Sequence, residues 1–431
     1  MGLFRIRNAY TVYLLLTGGY SLCFALIVSV NMIYQVQEAH LNPLQLVLVG
    51  TVLEVTAFLC QVPTGVLADV YSRRLAIIAG LVLMGVGFAL EGSIPRFGVI
   101  LLAQVVWGVG VTFMDGAEQA WITDELGEAR VGIAFLRSGQ VGQVTGVAGT
   151  IIGVAVANAT HINIPILLGG VLLIALGMVM LGIMPESGFR RGAAEGSPSW
   201  REIAETTRSG LVVVRRRPIL LNILIIAAVF GMFSEGFDRL STAHFLEDIT
   251  FPMIGTLKPV VWFGMLSIGS VPLQLIASEI IRRRLDMSSH TAVARILLAI
   301  NVLLIVSITG FALAGNFALA VAMFWSAGVL RNVYAPLYTA WLNQHIDSRV
   351  RATLISVSGQ ADALGQIAGG PLVGTIGLFA SLRVALAVSG LILLPALPLF
   401  ARTLRRKPPV VESGELRADA EQPTAGVGVR L

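Results

Sequence analysis

Apolar positions in this chain come in long unbroken runs, not in the alternation of a half-buried strand or the one-sided stripe of a soluble helix. Twelve such runs lie at roughly 10–36, 44–66, 75–93, 97–120, 131–157, 162–184, 218–246, 257–281, 291–314, 316–342, 352–379 and 383–401. About 20 residues of helix cross a bilayer, so each run predicts one membrane-spanning helix. Several exceed that minimum, which permits tilt. Many carry interior Gly and other small residues, as closely packed helices in lipid do. The expected fold class is an all-α membrane protein with twelve transmembrane helices.

The pattern breaks at two places. Residues 185–217 contain Gly192, Gly196, Ser197 and Pro198 and end in Arg215-Arg216-Arg217 before Pro218. Within them, Trp200–Val214 could form a short amphipathic helix with Trp200 as an interfacial anchor. The chain therefore divides into a six-helix bundle over 1–184, a linker over 185–217, a second bundle over 218–401 and a polar tail over 402–431, which reads as disordered. An internal repeat supports the division. Ala120-Trp121 matches Ala340-Trp341, Ser138-Gly139-Gln140 matches Ser358-Gly359-Gln360, and Gly108-Val109 matches Gly328-Val329, all in one register.

Composition agrees with the membrane reading: the chain is 55% hydrophobic and 13% charged, against about a quarter charged in soluble domains. Of the 30 Lys and Arg, Arg96, Lys258 and Arg383 fall in loops on one side, and Arg239 and Arg331 lie inside spans. The rest lie at or near the other side. The positive-inside rule then makes the linker and both termini cytoplasmic, in a plasma (bacterial inner) membrane. Basic loops facing anionic lipid account for the net charge of +5, and no nucleic acid is needed. The first run is too long for a cleaved signal and lacks a small-residue cleavage site. Cys23 and Cys60 are too few for a disulfide framework or a metal site and read as buried small hydrophobes. His40, His161, His244, His290 and His345 show no metal-ligand spacing, and no phosphate-cradling glycine loop precedes a lysine. No cofactor, metal or enzymatic site is expected.

The candidate chemistry is in ionic groups inside the spans, each of which costs about 2.5–3.5 kcal/mol at mid-bilayer. They are Glu54 in span 2, Asp115 and Glu118 late in span 4, Glu235, Asp238 and Arg239 in span 7, Arg331 in span 10 and Asp362 in span 11. Spans 3, 6, 9 and 12 have none in their central portions. Glu54 is central and has no sequence-local partner; a carboxyl in that setting could take up and release a proton. Glu235 and Arg239, spaced i, i+4, either neutralise each other or serve the site. Arg331 is the expected partner of Asp238 or Asp362. Asp115 and Glu118 read as residues of a gate or a loop.

The run GVLADVYSRRL, Gly65 to Leu75, lies between spans 2 and 3. With it, the chain resembles the major facilitator superfamily along nearly its whole length. That resemblance implies two pseudo-symmetric six-helix bundles around a central cavity, with spans 3, 6, 9 and 12 toward lipid. It also implies a gate in which Asp69 and Arg73, beside Arg74, latch the cytoplasmic side. Gly65 would let the end of span 2 approach its neighbours closely. A weaker copy places Glu279 before Arg283-Arg284, with Leu275 in place of the glycine. Gly139–Gly149 and Gly365–Gly374 resemble glycine-rich motifs of spans 5 and 11, with Val147 where a proline is usual. DGAEQAWITDEL, Asp115 to Leu126, SEGFDRL, Ser234 to Leu240, and Met184-Pro185-Glu186 resemble the tetracycline- and macrolide-type branch of drug:proton antiporters. Gln104 stands where that branch often has arginine.

The resemblance implies a secondary transporter working by alternating access, exporting small hydrophobic or cationic compounds in exchange for protons, with one chain sufficient for a pathway. Glu54, Glu235, Asp238, Arg331 and Asp362 are the candidate substrate or coupling groups. The alternatives are an importer of a small polar solute (a sugar, organic acid or amino acid) and a membrane scaffold that carries no flux.

Overall fold

The computed structural model describes residues 8–189, 218–252, 257–287, 289–344 and 351–405. Most of the linker expected over 185–217, the helix expected over Trp200–Val214 and nearly all of the tail lie outside these residues. The first half holds α1 (Ala9–Gln37), α2 (Pro43–Val70), α3 (Arg73–Ser93), α4 (Phe97–Met114), α5 (Ala117–Leu126), α6 (Glu128–Ala159) and α7 (Ile164–Ile183). The second holds α8 (Pro218–Asp248), α9 (Pro259–Arg284), α10 (His290–Ala312), α11 (Phe317–Asn343), α12 (Arg351–Phe379), α13 (Leu382–Leu391) and α14 (Ala396–Arg405). The pairs α4–α5 and α13–α14 each make one broken stretch, so the described residues form the twelve long helical stretches expected.

Sequence-local chemistry sets the helix ends. Asn42 and Gln45 form a reciprocal capping box at the start of α2, with Pro43 in the first turn. Ser72, Ser289, Asn316 and Ser381 cap α3, α10, α11 and α13 through side-chain oxygens. Between α4 and α5, Gly116 takes φ 78°, a left-handed conformation that glycine adopts without penalty. That break turns the end of span 4 and sets Asp115 and Glu118 on different segments.

Among the described residues, eleven of these stretches are long and apolar enough to cross a membrane; α12 falls short of that hydropathy. The reason is local: α12 carries Gln360, Asp362 and Gln366, which line a cavity. The helices α3, α7, α10 and α13 pack principally on helices of their own half, and α2 packs on α12 and α8 across the two halves. The repeat is visible in burial: Trp121 and Trp341 are both fully buried, and Ser138 and Ser358 are both buried.

One face of the bundle bears the start of α3 with Arg73 and Arg74 and the end of α9 with Arg282, Arg283 and Arg284, and is called here the basic face. At the opposite face the halves touch. Cβ atoms built on Gly374 and Gly264 lie 3.2 Å from Val47 Cβ and 2.8 Å from Val154 Cγ2. Lys258 Nζ donates to the Asn158 carbonyl at 2.8 Å. Toward the basic face they part, and Cβ atoms built on Gly139, Gly146 and Gly359 meet nothing within 4 Å.

Candidate substrate and coupling site

The glycines of α12 decide how closely its neighbours approach. Gly365 and Gly369 lie against the α8 backbone at Ala228 and Met232, while Gly370 and Gly374 face Thr51 and Val47 of α2. Small residues at such crossings bring the polar positions of three helices to one level.

Two cavities meet there, of about 300 Å³ and about 320 Å³, and both are lined by Glu54 and Gln366. The first adds Asn31, Gln104, Trp107, Glu235, Asp238 and Arg239. The second adds Gln61, Asp115, Gln360 and Asp362. Glu54, central and locally unpaired in the sequence, forms no hydrogen bond or ion pair with any described residue. It lies within electrostatic reach of Glu235, Arg239 and Asp362.

The remaining charges are partnered. Arg239 Nε donates to Glu235 Oε1 at 3.0 Å, and the Glu235 side chain is only 4% exposed. Of the two acids open to Arg331, it is Asp238 that pairs: Arg331 Nη2 donates to Asp238 Oδ2 at 2.7 Å and Nη1 to Oδ1. The guanidinium also sits over the Phe233 and Phe237 rings, 5.5 and 5.7 Å from their centroids. Asp362 accepts from Gln366 Nε2 at 2.9 Å. Around this level stand four carboxylates, Glu54, Glu235, Asp238 and Asp362, against two guanidiniums.

Asp115 and Glu118 do not act as a pair. Asp115 Oδ2 accepts from Gln61 Nε2 at 2.9 Å. Glu118 Oε1 accepts from Thr17 Oγ1 of α1 at 3.1 Å, on the far side of the Gly116 break.

The signature run is more helical than a loop. α2 continues through Asp69 to Val70, leaving Tyr71 and Ser72 as the connection. Arg73 donates to Asp69 at 3.2 Å, as expected, and also to Asp124 at the end of α5, which was not expected. Arg74 donates through its backbone N–H to Glu186 Oε1 at 3.0 Å and through Nη2 to the Leu181 carbonyl. These bonds stay within the first half. The close approach expected at Gly65 is not observed: a Cβ there meets nothing within 4 Å. α2 ends on the side where the halves part, so nothing faces Gly65. In the second copy, Glu279 binds Arg282 and Arg283 of its own helix at 2.5–2.7 Å, all exposed.

Sequence reasoning passed over an aromatic cluster and an acid beside the first cavity. Phe88 and Trp107 stack with centroids 5.0 Å apart, with Phe24 against both. Glu91, at the end of α3, is fully buried. His244 is also fully buried, held between Asp248 and the Phe311 carbonyl. Among the described residues no group of His, Cys, Asp and Glu could hold a metal ion.

This arrangement defines a helical membrane transporter, and comparison with known proteins gives the family. The model of the Major Facilitator Superfamily matches residues 11–300, and the chain belongs to that family. It is 21% identical over 394 residues to YxaM, an uncharacterized MFS-type transporter of Bacillus subtilis (strain 168), covering 88% of this chain and 91% of that one. Among solved structures, a mutant of the nucleoside transporter NupG superposes with a TM-score of 0.75 at 12% identity, covering 93% of this chain and all of that one. A bacterial homolog of the human lysosomal transporter Spinster, inward-facing and unoccupied, gives 0.70 at 14% identity, covering 94% and 98%. A peptide transporter POT gives 0.65 at 13% identity, covering 93% and 96%. The protein is thus a multi-pass integral membrane transporter of that superfamily.

Proposed function

We propose that the protein is a proton-coupled secondary transporter that moves small hydrophobic or cationic compounds out of the cell by alternating access. The observation that carries this is the position of Glu54. It lines both central cavities without a hydrogen-bonding partner, in a cluster where carboxylates outnumber guanidiniums two to one. A site with unbalanced negative charge in a low-dielectric setting recruits either a cationic solute or a proton. Exchange of one for the other is antiport. The excess of Arg at the basic face makes that face cytoplasmic, so the conformation described opens inward.

In this reading Glu54, Asp362 and Asp238 exchange proton for substrate, Glu235–Arg239 and Asp238–Arg331 hold the second bundle's charges in place, and Asp69, Arg73 and Arg74 gate the basic face. The aromatic faces of Phe24, Phe88 and Trp107 would take the apolar part of the solute. One chain contains the whole pathway, so a monomer suffices.

A second reading, uptake of a polar solute, has its own support. A cavity of about 520 Å³ between α6 and α9 is lined by Gln143, Gln274, Ser278 and Asn332, with no charged residue. There Asn332 Nδ2 donates to Gln274 Oε1 at 3.1 Å, and Ser278 Oγ donates to Asn332 Oδ1 at 3.3 Å.

The test is flux into proteoliposomes under an imposed pH gradient, with organic cations and polar solutes as separate substrates. Gradient-driven movement of the cations that collapses in Glu54→Gln, with normal membrane insertion, is the expected result. Flux of Glu54→Gln equal to the unmodified protein, or flux indifferent to the gradient, defeats the coupling reading. Polar solutes moving in place of cations establishes the second.

A further inference from the structure

Glu91 is a fully buried acid that neither cavity touches. Its carboxylate accepts from Gln35 Nε2 of α1 at 2.7 Å and from Gln104 Nε2 of α4 at 3.1 Å, while its backbone carbonyl accepts from Tyr34 Oη at 2.7 Å. Both amides are themselves only 1% exposed. Every hydrogen-bond donor to it is therefore neutral. The elements around it bring little charge: α1 brings the Tyr34 phenol, Gln35 and Asn31, α4 brings Gln104, and α7 brings Asn163 to the neighbouring Gly92 carbonyl at 3.1 Å. Among the described residues, the charged group whose field reaches it is Arg239, from α8 in the other half.

The network is one proton short. A buried carboxylate without a cation in contact is costly unless something neutralises it. Beside it, Gln35 Oε1 is buried and has no donor at all. A proton on the Glu91 carboxyl removes that charge, and if the Gln35 and Asn31 amides turn over together, Gln35 Oε1 accepts that proton and the Asn31 N–H where its Nε2 now donates to both. The path to solvent is short, because Asn31 and Gln104 each touch the network and line the first cavity. Trp107 Nε1 donates to Gln104 Oε1 at 2.8 Å, which ties an indole of the cavity wall to the same chain.

We propose that Glu91 is a second proton-binding site, outside the cavity lining and joined to it through Asn31 and Gln104. Arg239 travels with the second half, so the distance between its charge and Glu91 changes whenever the halves rock. That makes proton occupancy of Glu91 depend on which face is open. Its use in transport rests on the proton-coupled reading above; its proton binding does not.

The test is pH-dependent infrared difference spectroscopy of the purified full-length protein in the carboxylic C=O region, with Trp fluorescence recorded in parallel. Expected is a protonated-carboxyl band that disappears in Glu91→Gln and persists in Glu54→Gln. A pH-dependent change in indole emission should disappear in both Glu91→Gln and Trp107→Phe. Bands in Glu91→Gln identical to those of the unmodified protein overturn the proposal. Should that variant fail to insert, Gln104→Met serves instead: losing one hydrogen bond shifts the band, and an unshifted band overturns the assignment. A Glu91 band without gradient-driven flux would remove the coupled-transport reading and leave this site standing. Gradient-driven flux without the band would do the reverse.

Discussion

Gly50 of α2 lies directly against Glu235 of α8, across the line where the two halves of the transporter meet: a methyl group built on Gly50 would overlap Glu235 Oε1 and Arg239 Nε. The buried ion pair is thus packed on bare backbone, and a side chain there would have to displace the ends of Glu235 and Arg239. Replacing it with valine should prevent the halves from closing there while leaving each bundle intact. Overpacking costs about 1–3 kcal/mol, and a shift of that size moves a two-state equilibrium by about 5- to 150-fold. A cysteine at Leu44, placed in a Cys60→Ser background, would report it: impermeant maleimide should label Leu44→Cys faster by a factor in that range when Gly50→Val is added. Equal labelling rates would show that the contact does not govern closure.

The same seam offers a direct lock. A Cβ built on Gly374 lies 3.2 Å from Val47 Cβ, near the separation a disulfide requires. The pair Val47→Cys and Gly374→Cys, again without Cys60, should crosslink under oxidation and hold the opposite face shut. Transport should stop on oxidation and recover on reduction, whereas either single cysteine should be insensitive to oxidant. Full turnover of the crosslinked protein would mean that this face need not open.

Arg239 is the cation in contact with a Glu235 side chain that is only 4% exposed. Removing one member of a buried pair costs about 3–5 kcal/mol because the other charge is left behind, while replacing both with apolar groups is often near neutral. Arg239→Met should therefore lower the melting temperature of the purified protein markedly, and Glu235→Leu added to it should restore most of the loss. Additive losses in the double variant would show that the two residues act independently. Transport need not return with stability, since the double variant also removes charge from the cavity wall.

The spans could be read from the sequence because a membrane crossing is a property of composition over some 20 residues. The Glu235–Arg239 pair was equally legible, since i, i+4 spacing fixes its geometry on one helix. Partner choice across helices was not: Arg331 takes Asp238 over Asp362 because α11 faces α8 at that level, and nothing local encodes it. Glu91 escaped for a similar reason. It sits two residues from the end of α3, where an acid ordinarily reaches headgroups, and Gln35 and Gln104 enclose it only once α1 and α4 pack. Gly65 misled in the other direction: its motif suggested a close approach, and in the conformation open at the basic face nothing lies within 4 Å of a Cβ built there.

Asp124 was also missed, and it changes what the gate should do. Arg73 divides its guanidinium between Asp69, whose side chain is 66% exposed, and Asp124, at 28%. An exposed pair contributes about 0–1 kcal/mol, so Asp69→Asn should leave the melting temperature almost unchanged. Asp124→Asn removes the better-shielded bond, which joins the start of α3 to the end of α5, and should lower it more. Turnover should divide the other way. Both acids bind Arg73 within their own half, but Asp69 is the more exposed and, in the proposed gate, is the one that exchanges partners when the basic face closes. Asp69→Asn should then slow transport while leaving ligand affinity unchanged, and Asp124→Asn should slow it less per degree of stability lost. Measuring melting temperature and initial flux on both variants separates the two roles, and parallel losses in both would mean the acids form one structural cluster without a gating function.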